Sequence, residues 1–151
     1  MFLNGMRGEY RHQLDEKGRM RIPSKLKEML GDSPVIMKGI NGKCLYMYSQ
    51  ENAERVLEKM MSEVDFFDDD TAEVARFLMP FTIVAEEDKQ GRVTLTETLI
   101  NCAGLGKNIV TIGAYSRAEI WSEEAWEEYC ANAEAKFKAS AQKIKERNAK
   151  Q

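Results

Sequence analysis

The chain alternates apolar and polar residues, pauses at a glycine turn, and alternates again. Tyr10, His12 and Leu14 share one side of the stretch Glu9–Leu14, the period-two pattern of a half-buried strand. Asp15-Glu16-Lys17-Gly18 reads as a turn, with glycine where a positive φ is needed. Alternation resumes in Arg19-Met20-Arg21-Ile22, which predicts a hairpin. Pro23 suits the first turn of a helix, and Leu26, Met29 and Leu30 make one helical stripe that Gly31 ends. Val35–Lys38 and Cys44–Tyr48 read as two strands joined through Asn41-Gly42, a type I′ hairpin signal. Ser49 then caps a helix that carries Glu51 and Glu54 early. The predicted module is hairpin, short helix, hairpin, helix.

The same order returns 73 to 74 residues later. Asp15-Glu16-Lys17-Gly18-Arg19 reappears as Asp88-Lys89-Gln90-Gly91-Arg92. Phe81–Ala85 and Val93–Leu95 are predicted strands, and Leu99, Cys102 and Ala103 mark a short helix. Ile109–Ile112 and Glu119–Trp121 form a second hairpin before a helix beginning at Ser122. Between the copies, Val64–Asp70 reads as a loop and Thr71–Met79 as a helix stopped by Pro80. From Ala131 onward the chain is helix-prone, with little apolar stripe beyond Phe137 and Ile144, which predicts a solvated or frayed helix. The expected division is a first module at 8–61, an acidic loop and linker helix at 62–80, a second module at 81–130 and a basic tail at 131–151. A module of about 45 residues buries its own apolar face poorly. Hairpins swapped between two copies solve this by pairing into one barrel and removing exposed edges. The expected class is therefore β-rich α+β, and a surface presented twice suits a repeated target or self-assembly more than a single catalytic pocket.

Composition narrows the function. The apolar fraction of 43% is ordinary for a chain with a core. No apolar run approaches the roughly 20 residues of a membrane span. Met1–Arg7 is too short and interrupted for a signal peptide, so residence in the cytosol is expected and no membrane partner. Cys44, Cys102 and Cys130 have no paired spacing and are expected to be buried or neutral thiols. With one histidine, a Cys/His zinc site is not expected, and no cofactor is implied. The net charge of −3 hides strong polarity. Residues 7–27 hold seven basic groups against three acids, residues 51–73 nine acids against two bases, and residues 136–150 six bases against one acid.

Taken together, Leu14-Asp15-Glu16-Lys17-Gly18-Arg19, Ile22-Pro23, Asp88-Lys89-Gln90-Gly91-Arg92, Ala103-Gly104-Leu105 and Glu119-Ile120-Trp121-Ser122 resemble the MraZ family of bacterial transcriptional regulators. The resemblance spans nearly the whole chain. It implies a tandem of two SpoVT/AbrB-type swapped-hairpin modules, arranged as a pseudo-twofold double-split barrel with peripheral helices. It further implies a ring of identical protomers that binds short direct repeats in double-stranded DNA, represses the adjoining division and cell-wall gene cluster, and works on the nucleoid. The family's binding positions, carried over, fall on Lys17 and Arg19 and, by the repeat, on Lys89 and Arg92. The second copy departs from the family pattern at Thr96, where a proline is usual, and carries less basic charge.

The residue chemistry agrees with that implication. A two-stranded ribbon fits the DNA major groove, arginine can bond a guanine edge bidentately, and lysine can reach a phosphate or a guanine. Arg21 shares a strand face with Arg19, and Arg11 is expected on the partner strand. The competing reading of Arg19, and of Arg92, is an ion pair with Asp15 or Asp88 that only braces the turn; the two readings are compatible if the acid orients the arginine toward DNA. Gly18 and Gly91 read as backbone requirements, since the lysine-serine signature of a phosphate loop is missing. His12 reads as a strand-face residue packed near Tyr10, and Asp68-Asp69-Asp70 as a solvated loop without the calcium-loop spacing. The aromatic residues Tyr46, Tyr48, Trp121 and Trp126 read as core or subunit contacts, and the nine methionines as core filler. The basic tail has two readings, nonspecific phosphate contacts or a solvated helix. Competing functions are an AbrB-like transition-state regulator and a scaffold that docks a protein on the acidic 51–73 flank without specific DNA binding. An enzyme is the weakest reading, because the spacing yields no paired carboxylates, metal cluster or nucleophile arrangement.

Overall fold

A computed structural model of the chain describes residues 5–62 and 68–150. The loop expected at 64–70 lies outside the described residues as far as residue 67, and so do residues 1–4 of the N-terminal segment. The first copy contains β1 (Glu9–Gln13), β2 (Arg19–Arg21), α1 (Ser24–Leu30), β3 (Val35–Lys38), β4 (Leu45–Tyr48) and α2 (Gln50–Ser62). Helix α3 (Asp69–Leu78) and a 3-10 turn (Met79–Phe81) lead into the second copy. That copy contains β5 (Ile83–Val84), β6 (Arg92–Thr94), α4 (Glu97–Cys102), β7 (Asn108–Gly113), β8 (Ala118–Ser122) and α5 (Glu123–Ala131), followed by α6 (Ala133–Ala149).

The two copies exchange strands. β1 pairs antiparallel with β7 of the other copy, Glu9 opposite Ile112 and Gln13 opposite Asn108. β5 pairs reciprocally with β3. Each copy keeps its own second hairpin, β3–β4 and β7–β8, and the equivalent strands β4 and β8 join the halves. The result is a mixed α/β architecture with a six-stranded antiparallel sheet in the order β1-β7-β8-β4-β3-β5. The equivalent strands β2 and β6 form a separate two-stranded ribbon. The predicted β1–β2 hairpin is therefore corrected. Only its turn closes locally, through Asp15 N–H to Arg19 O at 2.9 Å, and beyond it the strands part to different partners. Alternation fixes which side faces the core but not which strand lies alongside.

Burial explains the composition of each strand. Ile36, Leu45, Met47, Ile109, Ala118 and Ile120 point to one face and pack beneath the ribbon with Met20, Val93, Leu26, Leu30, Leu95 and Leu99. Val35, Met37, Tyr46, Tyr48 and Trp121 point to the other face, under α2 and α5. β3 and β4 are covered on both faces and read as nearly continuous apolar runs, β8 is covered on both faces but keeps Glu119 inside, where Arg117 and Trp121 bond it, and β1, with one exposed side, alternates. Met20 and Val93 are 1% and 0% exposed. Each contributes about 1.5–3 kcal/mol of burial that holds the ribbon to the sheet. Helix α5 fastens the exchanged β1 from outside, through Trp126 Nε1–H to Glu9 Oε1 at 2.7 Å and Arg11 to Glu127 at 2.6 Å.

Several local expectations change. Residues 39–44 form a six-residue loop closed by Gly39 N–H to Cys44 O, not a two-residue turn at Asn41-Gly42. The Asn41 N–H is drawn to the Tyr46 hydroxyl at 2.8 Å, which opens the loop. The predicted Phe81–Ala85 strand shortens to β5, because Pro80 lies in a 3-10 turn that the Thr82 hydroxyl ties back to Leu78 O. Pro23 stands at the cap position ahead of α1. Met29 is exposed while Leu26 and Leu30 are buried, because α1 is only two turns long and turns a narrow face inward. Cys44 is buried, but Cys102 and Cys130 are exposed on the outer sides of their helices. The Ser49 and Ser122 caps are present, their hydroxyls accepting from Asn52 N–H and Ala125 N–H. Asp68 caps α3 rather than standing in an open acidic loop. The C-terminal segment is a regular exposed helix through Ala149.

Candidate nucleic-acid interface

The ribbon carries the duplicated turn motif at its two ends. Asp15 Oδ1 accepts from the N–H groups of Lys17 (2.9 Å) and Arg19 (2.8 Å), and its Oδ2 accepts from Arg19 Nε at 2.7 Å. Asp88 repeats the set with Gln90 N–H (2.8 Å), Arg92 N–H (2.9 Å) and Arg92 Nε (2.9 Å). The backbone N–H of Arg19 first, with the Arg19 guanidinium and the Lys17 N–H, holds the Asp15 carboxyl below the usual carboxylate range. The Arg92 N–H does the same for Asp88. Gly18 and Gly91 both adopt φ of +75°, the left-handed conformation that closes each turn. The ion-pair brace that the sequence left as the competing reading is present in both copies.

The ribbon has one buried and one outward face. Met20 opposite Val93 points to the core, and Arg19 opposite Thr94 and Arg21 opposite Arg92 point away from it. Asp15 engages Arg19 through Nε, the inner edge of the guanidinium, which leaves the two terminal nitrogens for a further partner. Arg92 is tied more firmly: its Nε is on Asp88 and its Nη1 lies 3.8 Å from Asp15. Arg21 Nη1 donates to the carbonyl of Gln90, so it clasps the opposite turn. Lys17 and Lys89 stand exposed at the turn tips. The structure therefore gathers Lys17, Arg19, Arg21, Lys89 and Arg92 on one surface.

Arg11 is not part of that surface. β2 pairs with β6, and Arg11 lies on β1 in the main sheet, held by Glu127 at 2.6 Å and Glu9 at 3.1 Å. Those carboxylates, Glu127 foremost, raise its pKa further and occupy its charge. His12 bonds the Thr111 hydroxyl through Nε2 at 2.7 Å, and burial pushes its pKa down, as suits a strand-face residue packed beside Tyr10.

Sequence reasoning missed two contributors. Thr94 occupies the outward ribbon position equivalent to Arg21 in the other copy, and the 73-residue offset points to it directly. The Lys27–Glu87 pair at 2.9 Å joins α1 to the opposite turn region, a contact visible only once the copies interleave. Where the family's proline is absent, the Thr96 hydroxyl accepts from Leu99 N–H and caps α4 instead.

Among the described residues, no helix is long and apolar enough to cross a membrane, and no cluster of histidine, cysteine or carboxylate side chains is arranged to hold a metal. A family model described as "MraZ protein, putative antitoxin-like" matches residues 6–77 and 83–148. Relatives named transcriptional regulator MraZ include those of Natranaerobius thermophilus, 38% identical over 91% of this chain and 94% of its own, and Ligilactobacillus salivarius, 40% identical over 86% and 90%. A Clostridium botulinum relative of the same name is 43% identical over 81% of this chain and 84% of its own. A two-copy match of this extent fits an exchanged-strand fold that presents one basic ribbon, and the chain belongs to the MraZ family of transcriptional regulators, not to a family of enzymes.

Proposed function

We propose that this protein is a sequence-specific DNA-binding repressor of its own division and cell-wall gene cluster, acting in the cytoplasm on the nucleoid. In this reading a ring of identical chains binds short direct repeats in the promoter. The observation that carries it is the outward face of the β2–β6 ribbon, with Arg19, Arg21 and Arg92 side by side and Lys17 and Lys89 at the tips. A ribbon of this width enters the major groove, where Arg19 reads a base edge while Lys17 and Lys89 engage phosphate. Asp15 and Asp88 orient the arginines, and Gly18 and Gly91 permit the turns that aim them. The division into modules at 8–61 and 81–130, a linker at 62–80 and a tail at 131–151 is part of the proposal. So is the double-split barrel, which the shared core of ribbon and sheet supports.

The ribbon's two ends are not chemically equal. Thr94 replaces the arginine that perfect pseudo-symmetry would place opposite Arg19. A symmetric ribbon reads a palindrome, whereas one with three arginines in four outward positions has polarity. That polarity favours direct over inverted repeats. One ribbon reads only a few base pairs, and several ribbons on one assembly raise the effective concentration at successive repeats.

The test is a binding titration on the DNA upstream of the protein's own gene, with a scrambled fragment as control, at two salt concentrations. Tight binding to the native fragment that weakens steeply with salt supports the proposal. Equal binding to both fragments rejects sequence-specific repression, and salt-insensitive behaviour with no DNA shift favours the scaffold reading.

A further inference from the structure

The ribbon's outward side chains form two cross-strand pairs, Arg21 opposite Arg92 and Arg19 opposite Thr94, and the pairs are in different states. Arg21 donates to the Gln90 carbonyl, and Arg92 is held by Asp88 at 2.9 Å, with Asp15 at 3.8 Å. Those bonds occupy two like charges that stand directly opposite each other, an arrangement that is otherwise destabilising. The Arg19–Thr94 end is open. Arg19 is fixed through Nε, and Thr94 is exposed, with no side-chain partner among the described residues. Leu95 N–H bonds Gly18 O at 2.8 Å, so Arg19 and Thr94 form the non-hydrogen-bonded pair next to it. Side chains of such a pair stand closest, with Cβ atoms roughly 4.5–5.5 Å apart. Bases along one DNA strand are spaced by about 3.4 Å, so an Arg19 seated on a base edge brings Thr94 to the same or the adjoining base step.

We infer that Thr94 is a specificity-determining residue, whose methyl packs against the C5-methyl of a thymine beside the base that Arg19 reads. The chemistry of the side chain selects that partner. A threonine hydroxyl both donates and accepts, so it bonds any base edge and discriminates little. Its methyl has one apolar counterpart in the major groove, the thymine methyl. Arg19 and Thr94 thus place a bidentate donor and a methyl side by side at one end of the ribbon, while the Arg21–Arg92 end is held by protein groups. The inference rests on the DNA-reading role proposed above and names a base contact outside the repeated turn motif.

The experiment is a binding titration of the full chain, at one fixed salt concentration, on the DNA upstream of its own gene. The fragment is made once with thymine and once with uracil in its place, which pairs in the same way and lacks the C5-methyl. Wild type, Thr94→Ser and Thr94→Val are compared, with circular dichroism to show that each is folded. Serine keeps the hydroxyl and loses the methyl, whereas valine keeps a methyl and loses the hydroxyl. Wild type and Thr94→Val should prefer the thymine fragment by roughly fourfold for each ribbon engaged, the worth of one buried methylene-sized group. Thr94→Ser should lose that factor. Any effect of uracil on duplex shape acts on all three proteins alike and cancels when their thymine-to-uracil ratios are compared. Equal ratios for wild type and Thr94→Ser overturn the inference while leaving DNA reading intact, as does a Thr94→Val protein that loses the preference. A wild type that binds the thymine fragment no better than scrambled DNA overturns the DNA-reading role and this inference with it.

Discussion

Gly18 and Gly91 occupy equivalent turns with the same φ of +75°, yet their surroundings differ, which makes them a controlled comparison within one molecule. A Cβ on Gly91 would meet only the end of Arg21 at 3.5 Å and Glu87 at 3.9 Å. Gly91→Ala therefore suffers mainly the left-handed backbone penalty of about 1–2 kcal/mol. A Cβ on Gly18 would stand 3.0 Å from both the carbonyl oxygen of Leu95 and the Cδ1 of Ile100. Ile100 can rotate, but the Leu95 backbone cannot give easily, because its N–H is bonded to Gly18 O at 2.8 Å. Overpacking and a weakened hydrogen bond raise the cost of Gly18→Ala to about 3–5 kcal/mol. For a chain of this size each kcal/mol moves the melting temperature by roughly 2–4 °C. Thermal melts of the two variants should show Gly18→Ala falling well below Gly91→Ala. Equal melting temperatures, or the reverse order, would refute the claim that the first turn is wedged under α4 while the second stands open.

Other outcomes follow from the same geometry. The Asp15 and Asp88 carboxyls are depressed chiefly by backbone N–H groups, so their stabilisation is present above the ordinary aspartate value of about 3.9 and is lost as pH falls through their lower folded values. Melts between pH 7 and pH 2 should show an acid limb that flattens in the Asp15→Asn, Asp88→Asn double variant, and an unchanged limb would show that the braces do not contribute. The Cys44 thiol is buried and its pKa pushed up to about 12, whereas Cys102 and Cys130 are exposed. A thiol reagent at pH 8 should therefore label two sites in the native protein and the third only in denaturant, and rapid native labelling of all three would contradict the placement of Cys44 beside Trp121.

Much of the site was legible because it is local. Asp15 and Arg19 are four residues apart, and the carboxylate reaches the N–H groups of Lys17 and Arg19 within one turn, so the duplicated signature was enough to raise both braces as a reading beside DNA contact. The outward direction of Arg19 and Arg21 followed from alternation around Met20. What alternation could not supply was the identity of strand neighbours. β1 and β2 have the pattern of a hairpin, and the same pattern serves strands that part company to pair with β7 and β6. That ambiguity placed Arg11 beside Arg21, when its actual neighbours are Glu9 and Glu127. Asn41-Gly42 misled for a related reason, since the Tyr46 hydroxyl across the loop competes for the Asn41 N–H. Met29 fits the helical stripe by spacing, but α1 is too short for its whole apolar face to be covered.

The most direct test of the ribbon as the DNA-reading surface is the affinity of Arg19→Ala and Arg11→Ala for the native upstream fragment, each against scrambled DNA at one fixed salt concentration. Losing a bidentate base contact of about 1–3 kcal/mol lowers the affinity of Arg19→Ala by roughly 5–150-fold and erodes its preference over scrambled DNA. Arg11→Ala, whose charge is already held by two carboxylates, should stay within roughly threefold of wild type, a surface ion pair being worth only ~0–1 kcal/mol. An Arg19→Ala protein that binds the native fragment within threefold of wild type, or an Arg11→Ala protein that loses binding instead, would contradict the assignment.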